Sequence, residues 1–141
     1  MITFPLEVLT PDGVVFSDQV NEVTVPGTRG ILGILAKHAP LYAKLTHGEL
    51  TIKKEGAEPS FISIGSGFIE VNPPKVKILV TRALKEEELI EQEILNAKAR
   101  AEKILEEKPT GETLIQARLL LKQSLTDLSI LRKRKKFSKN Y

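Results

Sequence analysis

The chain of 141 residues contains no cysteine and no tryptophan, one methionine, two histidines and only 5% aromatic residues. Without cysteine there is no disulfide framework, no thiolate nucleophile and no cysteine-bound metal, which fits a reducing compartment. Two histidines nine residues apart, His38 and His47, with no matching carboxylate cluster make a metal site improbable. No stretch approaches the roughly 20 apolar residues of a membrane span, and Met1-Ile2-Thr3-Phe4-Pro5 lacks the basic start and apolar run of a leader. The sequence therefore predicts a soluble protein whose membrane association, if any, goes through a partner.

Acid is absent from the last ten residues, where Arg132, Lys133, Arg134, Lys135, Lys136 and Lys139 are six bases. Without those six the remaining 15 bases face 18 acids, so the body is net −3 although the whole chain is +3. The basic character belongs to a tail. No aromatic platform accompanies that tail, so nucleic-acid binding is not expected. As a helical extension, the tail places cations where a helix C-terminus favours them and can meet an acidic protein surface.

What is present is a hydrophobic fraction of 41%, mostly aliphatic, in two periods. Up to about residue 84 the pattern alternates: Glu22–Val25, Glu49–Lys53, Ser60–Ile64, Phe68–Val71 and Val76–Val80 each turn one side to a core and one to water. Pro11-Asp12-Gly13, Pro26-Gly27, His47-Gly48, Glu55-Gly56 and Asn72-Pro73-Pro74 punctuate these runs. Short strands with frequent turns predict a sandwich or small barrel. After Arg82 the period changes. Ile90, Ile94, Ala97, Ala101 and Ile104 form a helix stripe, with Glu86, Glu87 and Glu88 at its positive end. Lys108-Pro109-Thr110-Gly111 breaks it, and Thr113 to Gln116 reads as a capping box opening a second helix. That helix carries Leu114, Ala117, Leu121, Leu128 and Leu131 in its main stripe. Ile115, Leu119, Leu120, Leu125 and Ile130 lie off it, an apolar surplus that needs a second cover. The fold class expected is α+β, mainly β: an N-terminal β sandwich over 1–84, then a helical hairpin with a basic tail over 85–141.

Candidate chemistry is sparse. Gly27, Gly30 and Gly33 are not a phosphate loop, because β pattern follows them and no Lys-Ser or Lys-Thr pair closes them. Gly65-Ser66-Gly67 lacks the spacing of a nucleophile elbow and reads as a turn or bulge. The acids of the helices read as a solvated face. No catalytic residue is expected.

One ordered set of residues is more informative. Thr10-Pro11, Val15-Phe16-Ser17, Val25-Pro26-Gly27, Gly30, Leu32-Gly33-Ile34, His38-Ala39-Pro40-Leu41 and Gly65 through Val71 together resemble the epsilon subunits of bacterial F-type ATP synthases. The likeness is strongest over residues 6–45 and 63–80, and in the helices it rests mainly on period and on Lys98-Ala99-Arg100-Ala101-Glu102. The resemblance implies a β sandwich and a helical hairpin in a non-catalytic rotor subunit of the central stalk, on the cytoplasmic face of the bacterial inner membrane. It implies contact with a gamma subunit through Thr10, His38 and Ala43, and with a ring of c subunits through Thr28, Arg29, Gly30, Ile31 and Leu32. It implies a hairpin that either folds down or extends toward the alpha and beta subunits and brakes ATP hydrolysis, with Arg132, Lys133, Arg134, Lys135 and Lys136 as the regulatory basic tail.

Two departures from the family pattern matter. Arg29 and Ile31 stand where many members carry an acid, so the ring is expected to offer acidic or apolar partners. The stretch Leu89 to Ile94 has Ile90 and Glu93 where ATP-binding members have Asp and Arg, and Gln123 and Asp127 stand at later arginine positions. Carboxylates in place of cations repel phosphates, so ATP binding is expected to be weak or absent and no cofactor is assigned. The rival reading is a free-standing β-sandwich binding module with a helical dimerisation hairpin.

Overall fold

In the computed structural model, which describes residues 2–139 with side chains as far as Arg134, the chain forms two units, 1–85 and 86–141. The first is all strand: β1 (Phe4–Thr10), β2 (Gly13–Val20), β3 (Glu22–Gly27), β4 (Gly30–Leu35), β5 (Leu41–Leu45), β6 (Gly48–Lys53), β7 (Ser60–Ile64), β8 (Gly67–Asn72), β9 (Lys75–Val80) and β10 (Ala83–Lys85). The five alternating runs read from sequence are β3, β6, β7, β8 and β9.

The strands follow the order β10-β7-β6-β3-β5-β8-β9-β1-β2, with β4 beside β3. All pairs are antiparallel except β1 with β9. Strand β3 pairs with β6 through Glu22–Thr24 and meets β5 through a single pair, Gly27 with Leu45. That one link joins two five-stranded halves, which close over a shared core as a sandwich. Inward residues alternate along each strand: Leu6 and Val8 of β1, Val23 and Val25 of β3, Leu50 and Ile52 of β6, Ile69 and Val71 of β8, Val76 and Ile78 of β9. Each such side chain, removed fully from water, contributes roughly 1.5–3 kcal/mol.

Two glycines let neighbouring backbone segments approach closely. A Cβ on Gly67 would strike the backbone carbonyl of Leu79, and one on Gly65 would strike Thr81 Oγ1. Here residues 65–66 pair with 81–82: Gly65 N–H donates to Arg82 O at 2.8 Å and Thr81 N–H to Ser66 O at 2.9 Å. The Gly-Ser-Gly segment is thus a bend between β7 and β8.

The second unit begins with a 3₁₀ turn, Glu86–Glu88, followed by α1 (Glu91–Glu106) and α2 (Gly111–Lys139). Three expectations are corrected here. Glu86–Glu88 precede α1 instead of opening it, and its acidic first turn is Glu91 and Glu93. Ile90 is the N-cap residue and exposed, not part of the buried stripe. The capping box does not form, because α2 already starts at Gly111, two residues before Thr113, and Gln116 donates to Glu112 at 3.2 Å instead.

Helices α1 and α2 pack together across a four-residue connection. Glu107 N–H and Lys108 N–H donate to the carbonyls of Ile104 and Leu105 at 3.2 and 3.1 Å, while Lys108 takes a φ of 51°. This left-handed residue ends α1 where glycine is usual. On α2 the buried set is Ala117, Ser124, Asp127, Leu128 and Ile130, so two polar residues lie within the stripe and Ile130, expected off it, is fully buried. Ser124 Oγ donates to Leu120 O at 2.8 Å, four residues back, which satisfies a hydroxyl that burial strips of water. Ile115 and Leu125 stay exposed.

Candidate functional site

The β3–β4 hairpin ends in a tight tip at one end of the sandwich. A Cβ on Gly27 would lie 2.6 Å from the Gly30 carbonyl, and Gly30 has a φ of 129°, a conformation that L side chains rarely adopt. Thr28 N–H donates to Lys44 O at 3.1 Å and Thr46 N–H to Pro26 O at 2.9 Å, which pins the tip to β5. Of the ring-facing residues expected from sequence, only Thr28 and Arg29 form the turn; Gly30, Ile31 and Leu32 begin strand β4. Leu32 packs on the core, whereas Ile31 is 78% exposed. The tip and Leu41–Lys44 of β5 line a groove of about 490 Å³.

Ala43 lies in this groove but turns toward the core, so the outward residues of β5 are Tyr42 and Lys44. Thr10 closes β1 at the same end of the sandwich as the tip, and its Oγ1 accepts from Asp12 N–H at 3.2 Å. His38 is at the opposite end, in the turn between β4 and β5, where its Nδ1 donates to Ala39 O at 2.7 Å. It lines a second groove of about 440 Å³ with Phe4, Leu35, Val71 and Pro74. The three gamma-facing positions expected from sequence therefore run along the strand direction and do not form one cluster.

A surface that sequence reasoning missed lies between them. The register puts Lys44 opposite Phe68, Phe68 opposite Leu79, Leu79 beside Leu9 and Leu9 opposite Val14. Residues paired in this way share a face. Phe68, Leu79, Leu9 and Val14 thus form an apolar row across the outer face of β8, β9, β1 and β2. Phe68 is 38%, Leu79 42% and Val14 60% exposed. Tyr42, 66% exposed, stacks on Phe68 with ring centroids 5.3 Å apart. The neighbouring row is polar, with Glu70, Lys77 and Glu7 in register and Lys75 3.7 Å from Glu7. The available signal was a Phe and a Leu at positions that alternation assigns to water.

In the helical unit, Glu93 is exposed in the first turn of α1, Gln123 is half-buried and Asp127 is buried. Arg132, Lys133 and Arg134 are exposed on the last described turns of α2, and the side chains of Lys135 and Lys136 lie outside the described residues. Among the described residues no helix is long and apolar enough to cross a membrane.

Comparison with known proteins gives a consistent family. Residues 3–86 match the family model of the ATP synthase Delta/Epsilon chain, β-sandwich domain. The chain is 35% identical over 130 residues to the ATP synthase epsilon chain of Bacillus cytotoxicus, spanning 92% of this chain and 97% of that one. It is 33% identical over 128 residues to that of Moorella thermoacetica, spanning 91% and 96%. Its fold is that of a chain in the Euglena gracilis mitochondrial ATP synthase, solved as an OSCP/F1/c-ring assembly, with a TM-score of 0.81 at 24% identity over 92% of this chain and 81% of that one. With a family match over the whole sandwich and relatives that extend through both helices, the chain belongs to the ATP synthase epsilon chain family.

Proposed function

We propose that this protein is a non-catalytic subunit of the rotor of an ATP synthase, docked on gamma through its sandwich and seated on the c ring through the β3–β4 tip. The observation that carries the docking is the apolar row of Phe68, Leu79, Leu9 and Val14, extended by Tyr42. An exposed apolar stripe rimmed by charge marks a protein interface. Gamma covers this row and reaches Thr10 and Ala43 beside it and His38 at the far end. The tip offers Ile31 and Arg29 to the ring, which meets them with apolar and acidic groups.

The hairpin is the regulatory part. Extended, it carries the bases Arg132–Lys136 to an acidic surface of the alpha–beta head and slows hydrolysis. Two states need different contacts in each, and the polar-apolar mixture on α2 provides them. ATP does not bind within the hairpin: Ile90 and Glu93 offer no cation, and Asp127 is a buried acid where an arginine is needed. The protein then sits peripherally, on the cytoplasmic face of the bacterial inner membrane.

The test is binding of Leu79→Ser and Phe68→Ser to purified gamma. Both side chains are a little more than half buried, so stability falls by about 1–2 kcal/mol while affinity falls at least about tenfold. Unaltered affinity in stably folded variants contradicts the assignment of this face.

A further inference from the structure

Helix α2 is longer than its partner. With 29 residues against 16, it outruns α1 by about 20 Å at 1.5 Å per residue. Since the two helices run back from a short connection, the last turns of α2 have no part of α1 beside them. They come instead to the 3₁₀ turn that precedes α1. Arg134 Nη1 donates to the Glu86 carbonyl at 3.3 Å, and the same carbonyl accepts from Leu89 N–H, also at 3.3 Å. Glu87 and Glu88 are exposed on that turn, Arg132 and Lys133 are exposed on α2, and Leu89 next to the turn is buried. The three consecutive acids of the turn thus stand by the most basic segment of the chain.

We propose that the Glu86–Glu88 turn is an internal latch for the basic end of α2. It holds Arg132–Arg134 at the root of the hairpin and competes with any external acidic surface for the same cations. The proposal rests on the regulatory reading of the basic tail, and it adds the element that restrains the tail. Attraction between the exposed acids of the turn and the exposed bases of α2 adds to this backbone contact modestly and in a salt-dependent way. That suits a latch which a partner must be able to displace, because a ligand shifts an equilibrium only by its differential affinity for the two forms.

Hydrogen exchange at the backbone amides of residues 131–139 tests the latch in the full-length chain. The variants are Glu87→Gln/Glu88→Gln and Glu87→Lys/Glu88→Lys, both at exposed sites. Exchange should be about two- to fivefold faster in the neutral variant at low salt and faster again in the reversed one, the scale expected for exposed charge pairs. Adding Arg132→Glu/Arg134→Glu to the reversed variant should restore slow exchange, and 1 M salt should erase the differences. Unchanged exchange in the reversed variant, or no rescue by the double reversal, overturns the latch. Inhibition of ATP hydrolysis, measured separately, reports on the tail's role. If exchange responds while inhibition is absent, the latch stands and the regulatory reading fails. If inhibition is present while exchange is indifferent, the latch fails alone.

Discussion

At Gly67 an added methyl group would meet the Leu79 carbonyl, a backbone atom fixed by the β8–β9 ladder. Gly67→Ala should therefore cost about 2–3 kcal/mol, as overpacking against rigid backbone does. At Gly33 an added Cβ meets nothing within 4 Å, so Gly33→Ala should stay within about 0.5 kcal/mol. Urea denaturation of the two variants side by side checks both, and equal effects contradict the packing account. A different residue sets an acid response. The Lys54 ammonium, hydrogen-bonded to Asp18 at 2.5 Å, holds the Asp18 carboxyl below its ordinary value of 3.8, helped by Gln19 N–H at 2.7 Å. The folded state thus favours the ionised form. The stabilisation is present above the unfolded value and is lost as pH falls through the lower folded one. Asp18→Asn should flatten the stability curve below about pH 4. An acid limb identical to that of the parent chain contradicts this.

Among the elements, the connection between the helices carries avoidable strain. Lys108 is left-handed at 51°, and Lys108→Gly should raise stability by about 0.5–1 kcal/mol in thermal or urea unfolding; a loss contradicts the cap geometry. The strands with clean alternation were legible in the sequence because each turns one face to water. Strand β4 was harder: Ile31, Leu32, Ile34 and Leu35 read as a continuous apolar run, and only pairing with β3 turns Leu32 and Ile34 inward. Neither β1 nor β2 stood out, since Phe4-Pro5-Leu6 and Ser17-Asp18-Gln19 carry mixed signals that tertiary pairing resolves. Gly27 was legible as punctuation, and two of the three glycines of this run have a structural reason: Gly27 for close approach and Gly30 for its backbone angle. The apolar row across four strands was not legible. Which Leu adjoins which Phe is a matter of register, and a single sequence specifies register only through the finished sheet. The same holds for Ser124 and Asp127, whose burial depends on how α2 rotates against its neighbours.

For the whole molecule, the two units divide the labour. The buried residues of the sandwich core all lie between Phe4 and Val80, so the sandwich builds its hydrophobic interior without the helices. The helical unit carries two buried polar residues, Ser124 and Asp127, and the basic end. The net −3 body and the cationic tail place opposite charge within one chain, so the proposed competition between the acidic turn and an external surface should depend on ionic strength. The most direct measurement is ATP hydrolysis by a purified alpha–beta–gamma head with the full-length chain or residues 1–85 added, each followed by gel filtration. The account predicts that both co-elute with the head and that only the full-length chain lowers the rate. Failure of both to co-elute would contradict the rotor assignment itself.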